Sequence, residues 1–244
     1  MGKRIIQRRR GAGTGPYKSP GHRFISPAKM VPLAQFKKGG LLQVTDIVKD
    51  PAHSAPLLVL IDESFERYYQ LAPRGIKVGD LLEFGEDAPS KVGNTLPMYK
   101  IPEGTPIYNI EKTPGDGGRF VRTSGGNAFV VSHDKERKVT IVRLPSKRKV
   151  DISFNCRASI GTLAGAGRTE KPMLKAGNMS KAKGARNKLY PRTSAVAMNA
   201  IDHPFGGSTG PGRASSTNRN APPGQKVGNF APSRTGVRRT RKKD

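Results

Sequence analysis

The sequence predicts a mainly β protein: two small tandem barrels in the centre, carried between long, irregular, basic N- and C-terminal extensions. Three observations lead there. The first is how charge is distributed along the 244 residues. Residues 1–38 hold ten basic and no acidic residues, 39–170 eighteen and sixteen, and 171–244 sixteen and two. A nearly neutral centre thus sits between two cationic arms. The second is a series of short runs in the centre, rich in aliphatic, β-branched and aromatic residues and separated by turn-forming pieces. The third is composition. Only 34% of the residues are apolar and none is Trp, so a core cannot run through the whole length.

The expected boundaries are a basic extension over 1–38, a first barrel over 39–88, a second barrel with its preceding loop over 89–165, and a second basic extension over 166–244. In the first extension, RRRGAGTGPYKSPGHRF carries glycines and prolines that break any helical period. It is expected to be extended and ordered by its partner. LLQVTDIV, PLLVLIDE, FERYYQLA and DLLEFG then read as strands, with KDPAHSAP and PRGIKVG as turns between them. GEDAPSKVGNTLPMYKIPEGT is Pro- and Gly-rich and reads as a linker or long loop. A second strand set follows: TPIYNIEK, GNAFVVSHD, RKVTIVRLP, KRKVDISF and NCRASIG. HDKERK and PSKRK suit hairpin turns, which makes RKVTIVRLPSKRKVDISF a meander. Each barrel is short for a self-sufficient core, so mutual packing or bound RNA is expected to support it. A short helix fits between Lys171 and Asn187, weakened by Gly177 and Gly184. Beyond Gly206 nothing reads as regular structure.

The formal charge of +26 opposes compaction unless a polyanion neutralises it. Neither arm has the amphipathic pattern of a membrane-surface helix, and no run of 18 apolar residues forms a span. The opening MGKRIIQRRRGAGTG is basic but has no apolar stretch of the signal-peptide kind. Cys156 stands alone, which excludes an intramolecular disulfide and a multi-cysteine zinc site, and makes a reducing, intracellular setting the expectation. His22, His53, His133 and His203 are not spaced as metal ligands, and no phosphate-loop motif is present. Asp202 and His203 are adjacent, yet no nucleophile is indicated, so a structural or ligand-contacting histidine is favoured over acid–base chemistry. No catalytic residue and no metal ligand is assigned.

Nucleic acid is therefore the expected partner. The arms interleave Arg and Lys with Gly, Ser and Asn, so that the backbone itself can approach phosphates. The candidate contacts are Arg8, Arg9, Arg10, Lys18, His22 and Arg23 in the first arm, and Arg119, Arg122 and Arg157 in the centre. In the second arm they are Arg168, Lys175, Lys181, Lys183, Arg186, Arg192, Arg213, Arg219, Lys226, Arg234, Arg238 and Arg239. Asn199, Asp202 and His203 join them from the stretch SAVAMNAIDHPFGGSTG. There Gly206 and Gly207 permit a tight turn, Ala195–Met198 is expected to anchor the loop, and His203 to offer RNA a compact donor or acceptor. Folded barrels between irregular arms, with no groove-reading helix, favour RNA over DNA. A general nucleic-acid architectural protein is the alternative.

PYKSPGHRF, CRASIGTLAGAGRTEKPMLKAGN, AVAMNAIDHPFGG and RNAPPGQKVG, in this order, resemble the universal large-subunit ribosomal protein family L-two. The resemblance covers nearly the whole chain, and AMNAIDHPFGG is its most specific part. DHPFGG in place of DHPHGG is similar to the archaeal and eukaryotic branch. The chain departs from many members at Tyr190, where Trp is frequent, at Ser194-Ala195, where Arg-Gly is, and in the polar GGSTGPGRASSTNRN. The resemblance implies an OB-like barrel followed by an SH3-like barrel, with both extensions threaded into 23S-type rRNA. It implies support of subunit association, tRNA binding and the peptidyl-transferase region. His203 matches the histidine of the loop that reaches toward that centre, where the chemistry is run by RNA. Implied partners are large-subunit rRNA, neighbouring ribosomal proteins and the small subunit at the intersubunit face, without membrane or homo-oligomer, on cytoplasmic ribosomes. No cofactor is implied beyond Mg²⁺ associated with the rRNA.

Overall fold

A computed structural model of the chain describes residues 2–207 and 216–234. It is mainly β with few helices, and it divides into two units: residues 21–174, and residues 1–20 together with 175–244.

The first unit contains ten strands: β1 (Gly40–Val48), β2 (Leu57–Ile61), β3 (Arg67–Leu71), β4 (Leu81–Phe84), β5 (Thr95–Pro97), β6 (Pro106–Tyr108), β7 (Ala128–Asp134), β8 (Val139–Arg143), β9 (Lys149–Ser153) and β10 (Arg157–Ile160). They are hydrogen-bonded in the order β3-β2-β1-β4-β5-β10-β6-β7-β8-β9. Neighbours run antiparallel except β4 and β5, which meet in parallel at Phe84 and Thr95. β1 pairs with β2 and β4, and its register with β2 shifts between Val44 and Asp46. Such a bulge bends a strand and sharpens its twist.

Three apolar clusters hold this sheet. Leu42, Val44, Leu58, Leu60, Leu82 and Phe84 pack with Val31 and Phe36 from the segment before β1. Leu96, Met98, Ile107, Val130, Val142, Ile152 and Ile160 form the second, with Cys156 inside it. The third joins Leu57 and Leu71 to Ala28, Ala55, Tyr108 and Leu163, and so links β2 and β3 to β6. β2 is therefore buried on both faces at its start, Leu58 and Leu60 on one side and Leu57 on the other. That explains why LLVLI is a continuous apolar run instead of an alternating one.

The stretch expected to be a linker or loop is part of the sheet. Thr95–Pro97 form β5, bonded to β10 through Arg157, Ala158 and Ser159, and residues 93–98 are buried. Asn94 braces the approach: its Oδ1 accepts from Glu83 N–H at 2.9 Å and its Nδ2 donates to Pro89 O at 3.0 Å. A three-residue strand between Gly, Asn and Pro is too short to show a period, which is why its sequence reads as loop.

In the other unit the arms also carry short regular pieces. Ile6–Gly11 is helical, where no helix was expected, and Arg8, Arg9 and Arg10 occupy its last turn. Cations are favoured there by the carbonyl end of the helix dipole. The helix Ala176–Gly184 falls inside the expected window, contains Gly177, and buries no residue. Beyond Gly206, β11 (Ser216–Thr217) and β12 (Asn229–Phe230) pair in parallel, a two-residue contact that local pattern could not reveal. Among the described residues no helix is long and apolar enough to cross a membrane.

Candidate nucleic-acid interface

The stretch Ser194–Gly207 closes into a compact loop. A 3-10 turn over Ala195–Ala197 leads into Met198, whose carbonyl accepts from Gly207 N–H at 3.0 Å. Asn199 O accepts from the amides of Asp202 (3.0 Å) and His203 (3.2 Å), and His203 O accepts from Gly206 N–H at 2.9 Å. The glycines are sterically required. A Cβ on Gly206 would lie 2.3 Å from Met198 O and 2.4 Å from Asn199 O, both of them backbone atoms that would have to shift. Gly207 has φ +80°, a left-handed conformation that disfavours other residues.

His203 faces inward and is only 8% exposed. Its Nδ1 accepts the Phe205 N–H at 3.1 Å, and the two rings pack at a 5.2 Å centroid separation. Because Nδ1 accepts, the proton of the neutral ring sits on Nε2. His203, Phe205, Met198, Arg192, Leu189 and Ile6 line a cavity of about 530 Å³. The apolar run expected to anchor this loop does so only in part: Ala195 and Met198 are half-buried, while Val196 is exposed. The anchor comes from the other arm. Lys3 N–H donates to Ile201 O at 2.9 Å, and Lys3 Nζ lies 3.6 Å from Asp202 Oδ1. A second link joins the arms where Asn187 Nδ2 donates to Lys18 O at 2.8 Å. Lys3 escaped sequence reasoning because nothing local marks its partner, about two hundred residues away.

The outward side of this unit is cationic. Its sequence contains twenty-one basic and two acidic residues. Arg8, Arg9, Arg10, Lys18, Lys175, Lys181, Arg186, Arg192, Arg219, Lys226 and Arg234 are exposed, Lys183 is half-buried, and Asn199 is exposed beside half-buried Asp202. Arg9 Nε donates to Arg4 O at 2.9 Å, and Lys226 Nζ stands 5.5 Å over the Phe230 ring. Arg213, Arg238 and Arg239 lie outside the described residues.

The candidates of the sheet unit separate into two groups. His22, Arg23, Arg119 and Arg168 are exposed; Arg168 Nε donates to Ser124 Oγ at 3.0 Å, and Arg119 Nε is 4.0 Å from Asp116. Arg122 and Arg157 are spent internally. Arg122 donates to Ala28 O at 2.6 Å and to Gly118 O at 3.3 Å. Burial, and after it the nearby Arg119 charge, lowers its affinity for its proton. Arg157, expected on the RNA-facing surface, is 1% exposed. Its Nε donates to Glu111 Oε2 at 3.1 Å, its Nη2 to Glu111 Oε1, and its Nη1 to Val31 O at 2.6 Å, while the guanidinium stacks 4.9 Å from the Phe36 ring. Glu111 also accepts from the amides of Gly117 and Arg157 itself. Every face of the group is used, so it is a tie between β10, the Glu111 loop and the segment before β1. Nothing local distinguishes such an arginine from a surface one.

Among the described residues no group of three or more His, Cys, Asp or Glu is placed to hold a metal ion.

Against known proteins, the family model described as Ribosomal Proteins L2, C-terminal domain, matches residues 91–226. The chain is 49% identical over 243 residues to the large ribosomal subunit protein uL2 of Methanobrevibacter smithii, covering 98% of this chain and all of the relative. It is 46% identical over 240 residues to the uL2 of Haloarcula marismortui, covering 97% and 98%. The uL2 of Natronomonas pharaonis is 45% identical over 240 residues, covering 97% of each.

Proposed function

The chain belongs to the L2 family of large-subunit ribosomal proteins, and from that premise we propose that it is a structural constituent of the large ribosomal subunit that binds 23S-type rRNA. The observation that carries this reading is the cationic unit, whose twenty-one basic residues face two acids along an alignment that spans the family's length. Such a field is neutralised by a polyphosphate, and each contact to a phosphate releases a condensed counterion.

In this reading the exposed Arg and Lys side chains of both arms hold phosphates, with glycine-rich backbone making the close approaches. On the sheet unit, the exposed side chains of His22, Arg23, Arg119 and Arg168 hold phosphates in the same way. The loop 198–207 supplies shape. Gly206 and Gly207 close it, His203 and Phe205 fill it, and Asn199 with its neighbours meets the RNA. Arg122 and Arg157 hold the scaffold instead of touching RNA.

The strands β1–β4, within 39–88, correspond to the OB-like barrel, and β5–β10, within 89–165, to the SH3-like one; 1–38 and 166–244 are the RNA-threading extensions. The chain supports subunit association, tRNA binding and the peptidyl-transferase region without enzyme activity of its own. Its partners are rRNA, adjacent ribosomal proteins and the small subunit, on cytoplasmic ribosomes, and Mg²⁺ accompanies the rRNA. Gradient sedimentation of a lysate carrying the tagged full chain tests this. Co-sedimentation with large subunits, resistant to moderate salt, is the expected result; recovery as free protein or on chromatin would overturn it.

A further inference from the structure

The cavity beside His203 is too large and too apolar to be a phosphate contact. Its volume, about 530 Å³, falls in the roughly 300–1,000 Å³ range of sites that enclose small molecules. Ile6, Leu189, Pro191, Ala195 and Met198 supply aliphatic wall. His203 and Phe205 add two rings, tilted 58° to one another, so that a flat group lying on one is met at its edge by the other. One polar group of this wall is unused. His203 Nδ1 accepts the Phe205 N–H, which leaves the Nε2–H as the donor of the neutral ring. That donor has no hydrogen-bond partner among the described residues, although His203 is only 8% exposed. Donors held this deep are rarely left unpaired.

The charge around the cavity is of one sign. Arg192 is exposed and is the one charged residue among the described lining, while Asp202, the acid next to His203, is engaged by Lys3 Nζ at 3.6 Å. An occupant therefore needs a flat apolar face, an acceptor on its edge and a negative charge close by. A nucleotide combines all three in its base, its ring nitrogens or carbonyl oxygens, and its phosphate. Single-stranded RNA is bound in this manner, with unstacked bases lying on aromatic side chains and their edges hydrogen-bonded. A base pair within a duplex cannot enter, so the base must be unpaired. We propose that this cavity takes one extruded base of the rRNA, its face on the Phe205 ring, its edge accepting from His203 Nε2–H and its phosphate on Arg192. The proposal rests on the ribosomal reading above and deepens it. Phosphate contacts position the chain without selecting a nucleotide, whereas a base pocket selects one.

The test places a photo-crosslinking benzophenone amino acid at position 193 of the full chain, an exposed part of the cavity lining, and irradiates purified large subunits. A cross-link concentrated on one rRNA nucleotide is expected. Probing with dimethyl sulfate and carbodiimide should find that base shielded in subunits carrying the unaltered chain. Its reactivity should rise about tenfold with Met198→Trp, whose indole fills the cavity, as the loss of one stacked base implies. Arg192→Glu leaves the apolar walls intact and should expose the same base, which keeps the test decisive if the Trp variant fails to fold. A cross-link to another protein, one scattered over many nucleotides, or none would overturn the proposal. So would a cross-linked base equally reactive with the unaltered chain and with Arg192→Glu. Failure of the unaltered chain to sediment with large subunits would instead overturn the ribosomal reading.

Discussion

Residues 21–174 bury three apolar clusters and carry twenty-three basic against sixteen acidic residues. The unit of residues 1–20 and 175–244 sets twenty-one basic residues against two acids, and among its described residues buries Pro20, His203, Gly206 and Val227. The sheet unit offsets the loss of chain entropy with its own burial. The arm unit has little apolar surface to bury and strong self-repulsion, which a bound polyanion would offset. The same residue type acts differently in the two. Arg157 is locked by Glu111 inside the sheet unit, while Arg8, Arg9 and Arg10 stand exposed.

The largest effect is expected where the sheet unit depends on a charge. Glu111→Ala leaves the Arg157 guanidinium buried without its carboxylate, which costs about 3–5 kcal/mol. Denaturant unfolding of the purified chain measures it, and a loss below about 1 kcal/mol would show the tie to be dispensable. The reciprocal test sits in the arm unit. Gly206→Ala drives a methyl into Met198 O and Asn199 O, and overpacking of this kind costs roughly 1–3 kcal/mol. Proteolysis near the loop should accelerate and uptake into large subunits should fall, with the amide spectrum of the sheet unchanged. If the sheet signals moved as well, the two units would not be separable.

Charge sharpens the contrast further. Replacing Arg8, Arg9 and Arg10 with Gln should flatten the plot of log affinity for large-subunit rRNA against log salt by about 2–3, since each phosphate contact contributes roughly 0.7–0.9. Arg137→Gln, whose cation lies 3.2 Å from Asp151, should leave that slope nearly unchanged. Equal effects from both would abolish the distinction. The smallest effect concerns the core. Burial, then the Glu111 charge, pushes the Cys156 thiol up to about 11 from its ordinary 9. Between those values the unfolded chain has released its proton and the folded chain has not. The thiol's contribution is thus complete below pH 9 and lost as pH rises toward 11. Cys156→Ala should remove that part of the alkaline decline in a pH series of unfolding curves.

Much of the sheet was legible in order, because apolar and β-branched runs between Gly, Pro and Asp mark strands whatever they pack against. β5 was not, since its three residues owe their strand geometry to β4 and β10. The short helix Ile6–Gly11 was hidden by the glycines that follow it. In the candidate interface, the DHPFGG loop and the cationic arms were visible as residue types in sequence. The inward turn of His203, the reach of Lys3 to Asp202 and the burial of Arg157 were not. Each depends on a partner far along the chain, and local pattern says nothing of distant partners.

By itself the sequence determined the polarity of the molecule: a balanced centre able to fold by burial, and arms too cationic and too poor in apolar residues to do so. It also determined the family, through motifs spread over nearly the whole length. Only the tertiary structure decided which charges stay outside. A guanidinium's role is set by whether a carboxylate and an aromatic ring meet it in three dimensions, as Glu111 and Phe36 meet Arg157, or whether solvent and a polyanion do.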